Sequence, residues 1–360
     1  MRHFAGFVQS RPSPPLSPYH DARFVSPALA GAGQGVESID FALALNSQRS
    51  PKNRGSGGVL ASLLSHTIGC PPIVNVGSEA LKRKVLPPVM RGEKISALGI
   101  TEPSGGSDVA NLKTTARRDG VHFVLNGSKT FITSGMRADF YTVAVRTGGP
   151  GPAGVSLLLI EKGMPGFTQT PLSKMGWLCS DTATLHFDDV RVPVDNLVGT
   201  ENQGFKAIMQ NFNHERLVMA ASAVGYAQAC TEEAMAWARE RKTFGRALAE
   251  HQVIRHKLVD MAQRVEVARE FVYALGWRLM HQSGLNEQLQ AALVARTCMA
   301  KIQATQAMEF CAREAVQILG GMGYMRGTKS ERLYREVKVM MIGGGSEEIM
   351  KELAARQLGL

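Results

Sequence analysis

The second half of the chain carries apolar residues at helical spacing over segments that are long for a globular protein. Glycines interrupt this pattern, and glycine commonly ends helices because it adopts the left-handed backbone conformation at low cost. Long helices joined by short breaks predict a helical bundle. The predicted helices cover 204–241, 250–282, 286–319 and 330–341, with a last one from Ser346, and the breaks fall at Gly245, Ser283-Gly284, Gly320-Gly321 and 343–345.

Residues 95–199 have a different texture, with short segments rich in residues that favour strands. Two examples are Phe140–Arg146 and 155–160. The dipeptides Asp119-Gly120 and Asn126-Gly127 are typical of tight turns, so a strand is expected between them. Several such strands at short spacing predict a small β-barrel or sandwich.

Helical spacing is also present between about residues 60 and 91, where Ser78 is a suitable N-cap and Pro87-Pro88 is expected to end the helix. Residues 1–55 differ from the rest, because five prolines among the first thirty positions leave no helical stripe. This start is expected to be disordered or non-native, either as a lineage-specific segment or as a mis-framed or truncated translation.

These regions together predict an α+β multidomain protein. The expected divisions are an atypical start at 1–55, an incomplete set of N-terminal helices at 56–94, a central β domain at 95–199 and a four-helix-type bundle at 200–360.

Composition excludes several classes of protein. The chain is 44% hydrophobic and 20% charged, which differs from disordered chains and collagens. No apolar run approaches the roughly 18 residues that a membrane-spanning helix needs. The five cysteines are scattered without a C-x-x-C pair, so we expect a reducing compartment (bacterial cytoplasm or mitochondrial matrix) and no metal site.

The net charge of +10 has two interpretations: ordinary solvated surface, or attraction of an anionic small molecule. No run of five basic residues exists and aromatics make up only 6% of the chain, so nucleic acid is not an expected partner.

Five motifs follow one another along the chain. They are Ala97-Leu-Gly-Ile-Thr-Glu-Pro-Ser-Gly-Gly-Ser-Asp108, Asn126-Gly-Ser-Lys-Thr-Phe-Ile-Thr-Ser-Gly135, Arg241-Lys-Thr-Phe-Gly-Arg246 with Glu250-His-Gln252, Gln317-Ile-Leu-Gly-Gly-Met-Gly-Tyr324 and the glycine run before Ser346. In this order they resemble the motifs of the acyl-CoA dehydrogenases, and the resemblance covers about Gly57 to Leu360.

The resemblance implies FAD as cofactor. Threonine hydroxyls at strand ends suit the polar edge of a flavin, and Phe131 stands where many relatives have Trp. A guanidinium such as that of Arg241 suits a diphosphate, which in the family belongs to a neighbouring subunit, so a homo-oligomer (dimer or tetramer) is implied. The implied flavin contacts are Ile100, Thr101, Gly106, Ser107, Phe131, Ile132, Thr133, Arg241, Thr243, Gln252, Gln317, Gly320, Gly321, Ser346 and Glu348.

The implied reaction is α,β-dehydrogenation of an acyl-CoA thioester to the trans-2-enoyl-CoA, with hydride transfer to flavin N5 and electron-transfer flavoprotein as acceptor. A carboxylate must remove the α proton. Many relatives carry that Glu where this chain has Gly344, whereas a minority carry it at the position of Glu215, just before an Arg. The resemblance therefore implies Glu215 as the base, the Gly344 N–H as an enolate donor, and substrate contacts from Ser107, Asn213, His214 and Arg216.

Alternatives remain at this stage. Glu215 alone would be an ordinary helix-surface carboxylate, and Glu348 is a second candidate base, although Glu347 and Glu348 also suit the first turn of a helix. An acyl-CoA oxidase or a catalytically weak flavin- or CoA-binding protein would carry the same motifs. The length of the acyl chain does not follow from the sequence.

Overall fold

A computed structural model describes residues 57–63, 65–281, 284 and 286–360. The prediction for residues 1–55 lies outside this part of the chain. The described chain begins with four helices, α1 (Gly57–Leu63), α2 (His66–Gly69), α3 (Pro71–Val76) and α4 (Glu79–Met90). Helix α2 packs against the strands Ser96–Gly99 and Phe140–Arg146, and α3 packs against the long helix Gly204–Glu240.

Helix α4 begins as its sequence predicts, but it ends later. The Ser78 side chain accepts a hydrogen bond from the Leu81 N–H at 3.2 Å, which is an N-cap. The expectation that Pro87-Pro88 would end the helix was wrong, because both prolines lie inside it. A proline removes only its own N–H, and the Arg91 N–H still reaches the Pro87 carbonyl at 3.1 Å, so the last turn closes after the prolines.

The central region is a seven-stranded mixed sheet that curls into a half-barrel. The strands are β1 (Ser96–Gly99), β2 (Thr115–Asp119), β3 (His122–Thr133), β4 (Phe140–Arg146), β5 (Val155–Glu161), β6 (Phe167–Pro171) and β7 (Thr182–Pro193). Their order in the sheet is β1-β4-β2-β3-β7-β6, with β5 antiparallel to β4. Alternate residues of β4 and β5 face the interior of the sheet and a layer of helices, so both strands are buried on both faces.

One expected turn is instead a bulge in a strand. Asp119-Gly120 does connect β2 to β3, but Asn126-Gly127 lies within β3, so the turn prediction there was wrong. The register of β3 against β7 shifts at Gly127, whose φ is +137°. A Cβ at Gly127 would lie 2.7 Å from the Oγ1 of Thr114, the residue before β2, so glycine is required here by this close approach rather than by a chain reversal.

The C-terminal region is a bundle of long helices, of which Gly204–Glu240 and Glu287–Leu319 contact each other most extensively. Many core positions are alanines, which allow the helices to approach closely. None of the described helices combines the length and apolarity needed to cross a membrane. The elements are α5 (Gly204–Glu240), the hairpin β8 (Lys242–Thr243) and β9 (Arg246–Ala247), α6 (Gln252–His281), α7 (Glu287–Leu319), α8 (Gly321–Tyr324), α9 (Lys329–Ile342) and α10 (Glu347–Gln357).

An apolar cluster joins the three regions. It contains Val85 of α4, Leu157 of β5 and Ile208 of α5, and Phe212 packs against it. Ile100, which follows β1, belongs to the same cluster. The first motif of the β domain and the first turns of α5 are therefore held against each other by buried apolar surface.

Candidate active site

Glu215 lies on α5, one turn after Phe212, in surroundings that disfavour its charge. Burial raises the pKa of its carboxyl from 4.5 to about 8, against the opposing effects of Arg216 and of a hydrogen bond from Asn211. The Asn211 Nδ2 donates to the Glu215 Oε1 at 2.7 Å and to the Ile68 carbonyl of α2 at 3.2 Å. Glu215 remains partly exposed. It is a desolvated carboxyl group that is still accessible.

Arg216 is turned away from Glu215 and toward the glycine loop. Its Nε donates to the Gly344 carbonyl at 2.9 Å and its Nη1 donates to the Asn213 Oδ1 at 2.9 Å. Arg216 is 5% exposed, and no ion pair between it and Glu215 is formed in the described structure. Arg216 therefore connects the helix that carries Glu215 to the loop that carries Gly344.

Gly344 adopts a conformation that suits glycine. Its φ is +67°, in the left-handed region, and a Cβ there would lie 3.1 Å from the Met219 Sδ. The residue lies against α5, next to the turn that carries Glu215. The position where many relatives of the resembled family carry an acid thus lacks one, and an acid lies on the facing helix.

Glu347 and Glu348 occupy the first turn of α10, as the sequence predicts. The Ser346 side chain caps this helix by accepting from the Ile349 N–H at 3.5 Å. Glu348 is exposed, and the pKa of its carboxyl is lowered by hydrogen bonds from its own backbone N–H and from Ser346. Glu348 is therefore in a solvated site that favours its ionised form and lacks the desolvation found at Glu215.

The two segments predicted to contact a flavin are adjacent. The Thr130 N–H donates to the Thr101 carbonyl at 2.8 Å, which joins the chain after β1 to the end of β3. The pairing of β3 with β7 is interrupted between Lys129 and Ile132. At this interruption Phe131 has a φ of +60° and its side chain is 70% exposed. Irregular backbone at this point therefore presents an aromatic face to the outside.

A buried ion pair lies beneath these segments. The Lys129 Nζ contacts the Glu102 Oε1 at 2.8 Å and the Ile100 carbonyl at 3.1 Å. Glu102 also accepts from the Lys113 and Thr114 N–H groups at 2.6 and 2.8 Å. These bonds lower the pKa of Glu102 to about 2 despite its burial, whereas burial lowers the pKa of Lys129 to about 8. The pair fixes the two segments relative to each other.

These features suit a planar heteroaromatic ring with a polar edge. Thr101 and Thr133 are partly exposed, and their hydroxyls have no hydrogen-bond partner among the described residues. Gly106 lies against Thr101, since a Cβ there would approach the Thr101 Cγ2 to 3.0 Å. Unpaired hydroxyls next to an exposed aromatic side chain match the chemistry of a flavin edge. Ile132, in contrast, is buried, and Ser107 is exposed.

A third group of predicted flavin residues lies at the far end of α5 from Glu215. Arg241, which directly follows α5, is 26 residues beyond Glu215, and at 1.5 Å per residue this corresponds to about 39 Å. Arg241 and Gln317 are exposed, and Phe244 in the adjoining hairpin is 97% exposed. The structure thus brings two predicted flavin segments together but not the third group. That group is Arg241, Thr243, Gln252, Gln317, Gly320 and Gly321.

Three further residues shape the site and are not among those that the sequence predicts: Asn211, Lys129 and Lys301. Asn211 has a recognisable signal, because it lies four residues before Glu215 and thus on the same helix face. Lys129 and Lys301 are 0% and 1% exposed. A lysine gives no sign of full burial in a sequence, and their partners lie 27 or more residues away. No group of metal-ligating side chains occurs within the described ranges.

Comparisons with known proteins match this architecture. Residues 97–190 match the family model described as acyl-CoA dehydrogenase, middle domain, and residues 202–359 the one described as acyl-CoA dehydrogenase, C-terminal domain. An acyl-CoA dehydrogenase of Bacillus subtilis is 40% identical over 329 residues, which cover 91% of this chain and 84% of that protein. The mitochondrial long-chain specific acyl-CoA dehydrogenase of Sus scrofa is 38% identical, covering 82% of this chain and 68% of that protein. Among solved structures, a probable acyl-CoA dehydrogenase from Mycobacterium abscessus has a TM-score of 0.83 and 49% identity, covering 91% of this chain and 84% of that one.

Proposed function

The chain belongs to the acyl-CoA dehydrogenase family, and on that basis we propose that it oxidises an acyl-CoA to the trans-2-enoyl-CoA with Glu215 as the general base. Enzymes of this family depend on FAD, so FAD is the cofactor of this chain. The observation that carries the proposal is the position of the Glu215 carboxyl group, held by Asn211 on the turn of α5 that packs against Gly344. The raised pKa of Glu215 agrees with this position.

Glu215 has the properties that a base acting on a weak carbon acid needs. A carboxylate of ordinary pKa is too weakly basic, and burial raises the proton affinity of Glu215. The hydrogen bond from Asn211 holds one carboxylate oxygen and leaves the other to accept the α proton. The proton of the α C–H bond passes to this oxygen, and the electron pair stays on the acyl group as an enolate.

The Gly344 N–H is suited to stabilise the enolate oxygen. No described residue accepts a hydrogen bond from it, while the N–H groups of Gly343 and Gly345 are bonded to Val339 and Ile342. A donor fixed in place before the reaction stabilises developing negative charge effectively. The other proposed substrate contacts are Ser107, Asn213, His214 and Arg216.

The Thr101 and Thr133 segments would hold the flavin ring, as their unpaired hydroxyls and the exposed Phe131 indicate. Proposed contacts from the same chain further include Ile100, Gly106, Ile132, Ser346 and Glu348. Bound there, FAD would supply the acceptor, at its N5, for the β hydrogen that leaves as a hydride. The distant group around Arg241 would contact the FAD of a second copy of the chain, so we propose a homo-oligomer. Electron-transfer flavoprotein is the proposed electron acceptor, and cytoplasm or mitochondrial matrix remains the predicted compartment.

Replacement of Glu215 by Gln tests the base assignment. The purified, FAD-loaded variant is mixed anaerobically with acyl-CoA and bleaching of the flavin is followed. Glu215→Gln should slow bleaching by about 10²-fold to 10⁴-fold with FAD still bound, as is typical of a lost general base. Glu232→Gln is the matched control, since Glu232 is an exposed glutamate of the same helix and should leave the rate unchanged.

Three other results would change or overturn the proposed function. Bleaching that persists in Glu215→Gln and is lost in Glu348→Gln would assign the base to Glu348. Hydrogen peroxide formed at the rate of turnover in air would identify an oxidase. A wild-type protein that binds FAD and is never bleached by any acyl-CoA would be a silent binder and would overturn the proposed function.

A further inference from the structure

Lys301 is a fully buried lysine whose partners are all backbone carbonyls, two in the glycine loop and one in the last turn of α9. It lies on α7 and is 1% exposed. Its Nζ donates to the carbonyls of Gly343 at 2.6 Å, of Met341 at 3.4 Å and of Gly345. No carboxylate forms an ion pair with it in the part of the chain that the structure describes. Together with the Arg216 bond to Gly344, three successive carbonyls of the loop thus point at buried cations.

The direction of these carbonyls determines the direction of the N–H groups. The described backbone contains no cis peptide bond. In a trans peptide unit the C=O and the N–H point in opposite directions. The Gly343 carbonyl and the Gly344 N–H belong to one such unit, so the bond from Lys301 to the Gly343 carbonyl turns the Gly344 N–H away from α7. That N–H has no acceptor among the described residues.

The charge of Lys301 also affects how strongly that N–H donates. A hydrogen bond from an ammonium to an amide oxygen increases the double-bond character of the C–N bond, which leaves the N–H more positive. Charge-assisted bonds in a site with little water have the largest effect of this kind.

A buried ammonium without a carboxylate partner is costly. Desolvation and the nearby Arg216 both lower the pKa of Lys301, to about 8. The carbonyls at the end of α9 do not need an ammonium, since backbone N–H groups of a glycine loop commonly satisfy them. A neutral side chain at position 301 would avoid the desolvation penalty. A costly charge that contacts the active-site loop indicates a role beyond capping the helix.

We propose that Lys301 is a positioning residue for the dehydrogenation, which aims and polarises the Gly344 N–H toward the thioester carbonyl oxygen by binding the carbonyl of the same peptide unit. This inference rests on the proposed function, since it assumes that Gly344 stabilises an enolate. Lys301 itself touches neither substrate nor flavin. Its contribution is to enolate stabilisation and not to the affinity for acyl-CoA.

The test uses an acyl-CoA analogue with a thioether sulfur in place of the β carbon, in the FAD-loaded enzyme. This analogue has no β hydrogen to transfer, so only the α proton can leave. Two quantities are measured: exchange of the α proton with D₂O by mass spectrometry, and the infrared stretching band of a ¹³C-labelled thioester carbonyl in the bound analogue. The second quantity does not depend on turnover.

Lys301→Met should slow α-proton exchange by about 10-fold or more, approaching the 10²-fold to 10³-fold loss typical of removing an oxyanion donor. Its carbonyl band should move toward the frequency of the analogue in water, while the dissociation constant of the analogue changes less than about 3-fold. Lys301→Arg keeps the charge and should retain most of the exchange. Lys338→Met is the matched control, because Lys338 is exposed on α9 near the same loop and pairs with Glu309. It should behave as the wild type.

Glu215→Gln separates this inference from the proposed function. It should abolish exchange but keep the shifted carbonyl band, whereas Lys301→Met should lose the shift. If wild-type exchange does not depend on Glu215, the proposed function fails. If exchange depends on Glu215 and Lys301→Met matches the wild type in exchange and band position, Lys301 is only structural and the inference fails. Should Lys301→Met not fold, a wild-type carbonyl band at its frequency in water would overturn the inference by itself.

Discussion

Gly344 lies in a loop and Glu215 on α5, and the side chain of Arg216 connects the two elements. Arg216 follows Glu215 on α5 and donates to the Gly344 carbonyl at 2.9 Å. Gly344 has a φ of +67°, so a side chain there would be strained and would press on Met219. At the scale of single residues, the proposed base and the proposed backbone donor are therefore held together by Arg216, with Gly344 contributing backbone and α5 contributing the carboxyl group of Glu215.

The raised pKa of Glu215 predicts how activity depends on pH. The proposed base must be ionised to act, and the pKa of Glu215 is about 8, so kcat/KM should rise about tenfold per pH unit below pH 8 and level off above it. The measurement is a pH–rate profile with an artificial electron acceptor. A profile that is flat between pH 6 and pH 9 would contradict the assignment.

The free energy of unfolding should fall over the same pH range in which the activity rises, because both depend on the ionisation of Glu215. The pKa of Glu215 is higher in the folded protein than the ordinary 4.5, so its stabilising contribution is fully present below about 4.5 and is lost as pH rises through about 8. Glu215→Gln cannot ionise, and its melting temperature should therefore rise relative to the wild type as pH increases from 5 to 9. Thermal melts across this range serve as the companion measurement to the rate profile.

At the scale of elements, the Lys129–Glu102 pair connects the chain after β1 to the end of β3. Both side chains are almost fully buried, and Glu102 also accepts two backbone N–H bonds. A buried carboxylate with several donors is stable only while those donors remain. The relative placement of Thr101 and Phe131 thus depends on an interaction in the layer beneath them.

Lys129→Met should leave the Glu102 charge buried without its partner. The expected loss in the free energy of unfolding is about 3–5 kcal/mol, with weaker retention of FAD. Denaturant unfolding and the FAD content after gel filtration measure the two effects. Lys113→Met is the control, because the Lys113 side chain is exposed and only its backbone N–H binds Glu102. Equal stability of the two variants would show that the pair does not hold the segments.

The stabilisation from Glu102 also has a definite pH range. Its pKa is lowered to about 2, so the contribution is present above the ordinary 4.5 and is lost as pH falls through about 2. Once the Lys129 ammonium is removed, the pKa of Glu102 should rise, and acid unfolding of Lys129→Met should begin at a higher pH than that of Lys113→Met.

At the scale of the whole molecule, the predicted flavin residues form two groups that one chain keeps apart. About 39 Å of α5 separates Glu215 from Arg241, and the hairpin beyond Arg241 presents Phe244 almost fully exposed. In a symmetric dimer the same surface of each chain faces the other, so each copy can complete the site of its partner. The proposed homo-oligomer is thus part of the site and not only of the assembly.

Mixing two defective variants tests this arrangement. Arg241→Ala should lose FAD affinity and Glu215→Gln should lose its base, so each is nearly inactive alone. In a refolded or co-expressed 1:1 mixture, about one site in four would pair an intact Glu215 with an intact Arg241 of the neighbour, and activity should reappear at about that fraction of the wild type. Activity equal to the mean of the two separate variants would mean that Arg241 acts within its own chain or not at all.

The sequence by itself determined the family, the fold class and the order of the elements. The helices of the bundle and the strands Phe140–Arg146 and Val155–Glu161 follow from periodicity and from residue preferences, which act locally. The motifs also single out Glu215 and Gly344, because the sequence itself shows that one motif lacks an acid and another carries one. Where local signals compete with neighbouring strands they failed: Asn126-Gly127 became a bulge because Thr114 passes close to Gly127.

Only the tertiary structure decided which groups are desolvated and which backbone groups are held in place. The pKa of Glu215 depends on burial, on Asn211 and on Arg216, and the same residue on an open helix surface would keep an ordinary value. The partners of Lys129 and Lys301 lie 27 to 44 residues away, and nothing in a lysine's local sequence specifies that a carbonyl or a carboxylate will meet it. Desolvation and long-range hydrogen bonding arise from packing, so they are properties of the folded chain and not of any segment of it.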